Sequence, residues 1–203
     1  MHFFTADIHA GHSNILKYCN RPFNDTFHMD RVLIDNWNSV VAPNDTIYVL
    51  GDFCFSRYNK EIFNKLNGNK HLIVGNHDKR EVKQLPWGSV SHLLEVDVDG
   101  QHIVLCHYAM RVWNKSFHGA WHLYGHSHST LLEDSALSFD IGVDGWGYKP
   151  VSFNQVKAKM DWKKQNKQFF IDLRNKYGSE ETLDDTVRKS IVSEMKGLNS
   201  KWI

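Results

Sequence analysis

Five short apolar runs in this chain of 203 residues each lead into side chains that can bind a metal ion. FFTA leads into Asp7-Ile8-His9, TIYVL into Gly51-Asp52, and HLIV into Gly75-Asn76-His77-Asp78. IVLC leads into His107, and WHLY into Gly125-His126-Ser127-His128. Short runs rich in β-branched and aromatic residues predict buried strands. In an α/β fold, ligand sites gather at the carboxyl ends of such strands. Taken singly, Gly-Asp and Gly-Asn-His-Asp are ordinary turn formers, and a histidine after a strand is ordinarily just hydrogen-bonded. All five in succession point to one shared site.

The segments between these runs predict helices and turns. From Asn24 or Asp25, the positions Met29, Val32, Leu33, Trp37 and Val40 line one helical face. Ser13 is expected to cap a short helix through Cys19, closed off by Pro22. Ser56 is expected to start a helix carrying Ile62, Phe63 and Leu66, stopped near Gly68. VDVDGQHIVLC predicts a hairpin about Asp99-Gly100, and SFDIGV a further strand. Beyond about residue 155 the texture changes, with 11 Lys/Arg against 7 Asp/Glu in residues 156–203. There Thr182 and Asp185 resemble a capping box ahead of Leu183, Val187, Ile191 and Met195, with Gly197 as the stop. The expected organisation is a main domain over 1–155 and a helical C-terminal extension over 156–203 packed on it.

Charge and cysteine content narrow the function classes. A formal net charge of +1 provides no global attraction to nucleic acid or an anionic membrane. No apolar run reaches membrane-spanning length, and MHFFTADIHAGH lacks the basic and apolar regions of a signal peptide. Cys19, Cys54 and Cys106 form no CxxC and cannot all pair, so reduced thiols in a cytoplasmic protein are expected.

The order D-x-H, G-D, G-N-H-D, H, G-H-x-H resembles the ligand signature of the calcineurin-like metallophosphoesterase superfamily. The resemblance covers about residues 1–155. The phrases AGHSNILKYCNRPF, LNGNKHLIVGNHD and HYAMRVWNKSFHGAWHLYGHSH are similar to a compact bacterial and phage subgroup, in which Pro is expected where Ala109 stands. The resemblance implies a two-sheet α/β sandwich with helices outside the sheets. It also implies two divalent metal ions, manganese first, with nickel, iron or zinc as alternatives. Carried over by motif, Asp7, His9 and His128 hold one ion, Asn76, His107 and His126 hold the other, and Asp52 bridges them.

The residue types suit that assignment. A carboxylate joins two cations spaced about 3.5–4 Å apart, and imidazole with amide oxygen suits first-row metals. Residues i and i+2 of an extended segment sit about 6.6 Å apart on one face, so His126 and His128 can reach different ions. Two ions bring +4, Asp7 and Asp52 return −2, and a bridging hydroxide leaves roughly +1, a centre that attracts phosphate. The activity implied is in-line attack of that hydroxide on a phosphate ester, with His77 as general acid for the leaving oxygen.

A phosphodiester of a nucleotide-like small molecule is the expected substrate. Phosphomonoester hydrolysis is the alternative, because the ligand set serves both. A metal-binding interaction module without catalysis and a DNA nuclease are the further rivals. Arg21, His12 and Arg111 are candidate substrate contacts beside Asn76. Trp113, His118 and Trp121 offer either a substrate wall or a packed loop, and His122 reads as a satisfied core residue.

Overall fold

The computed structural model describes residues 1–132 and 136–177, together with Thr186, Lys189, Ile191 and Ser193. Of the helix expected between Thr182 and Gly197, Ile191 is buried. Its capping pair and Leu183, Val187, Met195 and Gly197 lie outside the described residues.

The first sheet contains β1 (His2–Thr5), β2 (Thr46–Val49), β3 (Asn69–Ile73) and β4 (Ser89–Ser91), all parallel. A short antiparallel strand, β9 (Val151–Ser152), extends the order to β4-β3-β2-β1-β9. Successive side chains point to opposite faces. Phe3, Ile47, Val49 and Leu72 therefore pack on helices, while Phe4, Tyr48, Leu50 and Ile73 pack toward the second sheet. Burial on both faces explains why these strands read as continuous apolar runs.

Helices α1 (Ser13–Tyr18), α2 (Thr26–Val40), α3 (Asn59–Lys65) and α4 (Arg80–Lys83) follow the first three strands. In α2 the Asp25 carboxylate accepts the His28 amide at 2.8 Å, which caps the helix. Met29, Leu33 and Trp37 turn inward from α2, and each such burial contributes about 1.5–3 kcal/mol. Two expected caps fall elsewhere. Ser13 is the first residue inside α1, with His12 at the cap position and no side-chain cap bond. Ser56 precedes α3, and its hydroxyl accepts the Tyr58 amide in a turn.

The second sheet has the order β5-β6-β7-β8, from β5 (Leu93–Val98), β6 (Gln101–Cys106), β7 (Trp121–Tyr124) and β8 (Ser138–Asp140). Asp99 and Gly100 both have positive φ, +48° and +80°, as a two-residue hairpin turn demands. Ile103, Leu105, Leu123 and Phe139 meet Phe4, Tyr48 and Leu50 in the inter-sheet core. On the opposite face, Val104 packs against Trp113 and Ala120.

Helices α5 (Phe153–Gln165) and α6 (Lys167–Tyr177) complete the described fold. A capping box of Ser152 and Gln155 starts α5, and the sequence reading overlooked it. Phe153, Val156 and Met160 belong to the inter-sheet core, so the change of charge near residue 156 falls inside a helix already packed on both sheets. The architecture is the expected two-sheet α/β sandwich flanked by helices.

Two features bring the strand ends together. Strands β1, β2 and β3 run parallel in one sheet, and β6, β7 and β8 run parallel in the other. A parallel bridge between Ala6 and Gly142, with Val143 N–H donating to the Ala6 carbonyl at 3.1 Å, joins the sheets just past β1 and β8. The loops after these six strands therefore converge on one edge.

Candidate metal centre

Two triads of ligand-type side chains occupy that edge. Asp7, His9 and His128 each offer an atom within 4.8 Å of the others, and Asp52, His107 and His126 do the same. Asp52 Oδ2 lies 3.5 Å from His9 Nε2 and 3.6 Å from His107 Nε2, so one carboxylate oxygen faces both groups. Asn76 Oδ1 completes the second group, 2.9 Å from His107 Nε2. The fold thus assembles all seven candidate ligands in one cluster.

The backbone is distorted at these same residues. Asp7, His9, Asp52, His126 and His128 all have φ between +49° and +67°. Left-handed backbone costs a non-glycine residue about 1–3 kcal/mol and persists only where its surroundings enforce it. Here the Asp7 amide donates to the Gly51 carbonyl at 3.1 Å, and the His9 amide to the Asp52 carbonyl at 2.9 Å. The His126 amide donates to the Asp7 carboxylate at 2.9 Å. The motif glycines make room for the carboxylates. A Cβ on Gly125 would sit 2.7 Å from Asp7 Oδ2, and one on Gly75 would run into Asp52 Oδ1.

The electrostatics fit a bound cation. Asp7 is fully buried, and burial, then the charges of Asp140, Asp52 and Asp144, raise its pKa well above the ordinary carboxylate value. His9 is 2% exposed, and neither of its ring nitrogens has a hydrogen-bond partner. Burial, then the positive charges of His128 and Arg21, depress its pKa to about 2. Such a ring stays neutral with an unsatisfied lone pair, an arrangement that costs free energy unless something accepts that pair. His107 Nδ1 lies 2.7 Å from the Leu50 carbonyl and donates to it. The Nε2 lone pair is then left facing the oxygens of Asn76 and Asp52. Several lone pairs aimed at one point, on imidazole, amide and carboxylate, suit manganese, iron, nickel or zinc.

His128 behaves differently. Burial disfavours its charged form, but hydrogen bonds to Asp144 and Cys19 and the charges of Asp7 and Asp144 outweigh burial and raise its pKa to about 10. Its Nδ1 lies 2.7 Å from Asp144 Oδ2. Cys19, His128 and Asp144 form a third group of ligand-type atoms. A cation is disfavoured there, because both Asp144 oxygens are already engaged by Arg21 and His128.

Arg21 corrects an expectation. It was expected to contact phosphate, yet its side chain has 0% exposure. Its donors are spent on Asp144, on the carbonyls of Asp7 and Ile8, and on the Met29 sulfur. No donor is left for a substrate.

His77 and Asn76 are exposed at the mouth, and the His77 amide donates to Asp52 Oδ1 at 2.9 Å. Asp78 is not oriented toward the His77 ring, because its carboxylate accepts amides of Asp52, Phe53 and Gly75. His12 stacks on Phe55 with ring centroids 4.0 Å apart, and Phe55 lies 5.0 Å from the His77 ring. Arg111 is exposed on the loop after His107. Trp121 and Trp113 are buried, which removes them from any substrate wall. His122 has 0% exposure and bonds backbone groups, as expected of a core histidine.

Phe55, Tyr108, Asp140 and Asp144 escaped the sequence reading. For the two aspartates a signal was present, since SFDIGVD is a sixth apolar run that carries acidic residues. Asp140 holds the GHSH loop, accepting the Ser129 amide at 2.9 Å and the Ser127 hydroxyl.

Fold and site together define an α/β sandwich with a paired cluster of imidazole and carboxylate ligands at its strand ends. By sequence the chain is 34% identical over 164 residues to MJ1445 of Methanocaldococcus jannaschii, itself described as uncharacterized, covering 76% of this chain and 88% of that protein. The chain belongs to the family of that archaeal protein. The gene 66 protein of Mycobacterium phage L5 is 27% identical over 181 residues, covering 71% of this chain and 87% of its own length. Among solved structures, a protein of unknown function from Aquifex aeolicus, AQ665, shares the fold. Its TM-score is 0.63 at 24% identity, over 78% of this chain and 98% of that one. No protein-family model matches the chain.

Proposed function

We propose that this chain hydrolyses a phosphodiester of a nucleotide-like small molecule at a centre of two divalent ions. The observation that carries the proposal is the single Asp52 oxygen 3.5 Å from an imidazole of one triad and 3.6 Å from an imidazole of the other. A carboxylate so placed would be shared by ions held at the two triads, and paired ions of this kind would act on one phosphoryl group. When bound, such ions supply positive charge for the phosphoryl oxygens and lower the pKa of water.

The chain's own residues do the rest. Asp7 and Asp52 neutralise only part of the charge of two divalent ions, so the centre attracts an anionic ester. His77 donates a proton to the departing oxygen. Its backbone is tied to Asp52 Oδ1, so the acid and the shared ligand are positioned together. One aromatic ring stands beside each triad. Phe55 is 5.4 Å from the His9 ring, and Tyr108 is 4.8 Å from the His126 ring. Rings so placed can stack on a base or aryl group, which favours an ester with an aromatic substituent.

The test is turnover of an aryl phosphodiester beside the matching monoester, with Mn²⁺, Ni²⁺, Zn²⁺ and Mg²⁺ supplied separately and Asp52→Asn as control. Metal-dependent turnover that disappears in the control, with the diester preferred, is the expected result. A monoester preference would replace the diester reading with a phosphatase. No turnover in protein holding two ions per chain would sink the catalytic reading of these substrates and leave a metal-binding module.

A further inference from the structure

The first triad is drawn from two distant segments, and one buried ion pair spans both. The Arg21 guanidinium donates Nε–H to Asp144 Oδ1 at 2.8 Å and an Nη2 proton to Asp144 Oδ2 at 2.9 Å, a two-pronged pairing. The same guanidinium donates to the Asp7 carbonyl at 2.7 Å and to the Ile8 carbonyl at 2.9 Å. It therefore grips the backbone of the loop that presents Asp7 and His9. Asp144 Oδ2 faces His128 Nδ1 at 2.7 Å. With Nδ1 engaged by Asp144, Nε2 is the ring nitrogen left to meet an ion.

The gripped loop is strained, as are Asp52 and His126 in the second triad. Asp7, His9 and His128 have φ of +55°, +52° and +49°. Strain of this kind relaxes when the contacts enforcing it are removed. Among the described residues, no hydrogen bond or ion pair of Arg21 or Asp144 reaches Asp52, Asn76, His107 or His126. In the second triad His107 is held by the Leu50 carbonyl, while the His126 amide rests on the Asp7 carboxylate, one step removed from the ion pair.

We infer that Arg21 and Asp144 are positioning residues that preorganise the first triad, so that affinity for the ion at Asp7, His9 and His128 depends on them more strongly than does affinity for the second ion, whose ligand His126 touches the gripped loop only through the Asp7 carboxylate. This rests on reading the seven side chains as metal ligands. Lysine cannot replace the arginine, because a single ammonium lacks the planar fork needed to span Asp144 and two carbonyls.

The test is Mn²⁺ binding, read from the EPR signal of the free ion, in the full chain and in two single-site backgrounds. Asn76→Ala removes a ligand of the second group and leaves the first ion to be measured, whereas His9→Ala leaves the second. Asp144→Asn and Arg21→Lys are then added to each background, with folding checked by circular dichroism. The expected result is an affinity loss of about 10- to 100-fold in the Asn76→Ala background and a smaller loss in the His9→Ala background. Equal losses in both, no loss in either, or failure of both variants to fold would overturn the inference. Unmutated protein that binds no Mn²⁺ would overturn the metal-ligand reading itself, an outcome separate from unmutated protein that binds two ions and variants that bind them equally well.

Discussion

Asp78 and Asp52 clasp each other's loops. Asp78 Oδ2 accepts the Asp52 amide at 3.0 Å and the Gly75 amide at 2.8 Å, and Asp78 Oδ1 accepts the Phe53 amide at 2.9 Å. In return, Asp52 Oδ1 accepts the His77 amide at 2.9 Å. The loops after two neighbouring parallel strands are thereby fixed against one another, and Asp52 Oδ2 remains turned toward His9 and His107.

Asp78→Ala is expected to be strongly destabilising. It removes a carboxylate from three amides at a position 5% exposed. The expected cost is about 3 kcal/mol, or a Tm lower by roughly 6–12 °C for a chain of this size. Thermal unfolding measures it. A shift within a degree of zero would show that the clasp is dispensable.

His77→Ala is expected to lower turnover by about 10²–10⁴-fold with metal content unchanged. The loss should shrink for aryl esters with acidic leaving groups, which depart without protonation. A series of substituted aryl diesters decides the point, and a loss uniform across the series would assign His77 another role.

Chelation is expected to lower stability, because the buried Asp7 carboxylate then lies close to the charges of Asp140 and Asp52 without a divalent counter-charge. Mn²⁺ at about 100 times its Kd stabilises by about 2.7 kcal/mol per site, equivalent to a Tm rise of roughly 5–11 °C. Differential scanning fluorimetry with and without chelator makes the comparison. Identical Tm values would count against ion binding by the folded chain.

Below about pH 6.5 the chelated protein is expected to lose stability, in part through His122. Its Nδ1 lies 2.9 Å from the Val104 carbonyl, and Nε2 lies 3.2 Å from both the Met110 amide and the Tyr108 carbonyl. Burial lowers its pKa from the ordinary 6.5 despite the backbone hydrogen bonds. A folded-state value below the unfolded one means that the unfolded chain takes up the proton first as pH falls. The contribution is present above 6.5 and declines below it. His122→Gln should flatten the dependence of Tm on pH between 7.5 and 5.5, and an unchanged slope would remove His122 from the account.

Local pattern carried much of the fold. The period of the apolar runs, the Asp99-Gly100 turn, and the face of α2 made by Met29, Leu33 and Trp37 are all encoded over a few residues. The ligand types were legible for the same reason, since a strand end is a local feature that announces which side chain it delivers. Asp140 and Asp144 belonged to the same pattern and were passed over because SFDIGV read as strand alone.

By itself the sequence determined which residues sit at strand ends and what chemistry they carry. Tertiary structure decided which of them meet. A buried Arg21 gripping the Asp7–His9 loop, an Asp78 spent on amides, and a single Asp52 oxygen facing two imidazoles all depend on the apposition of two sheets. No short window of sequence encodes that apposition, because it follows from burying the inner faces of both sheets in one core, which sets the separation of loops far apart in the chain.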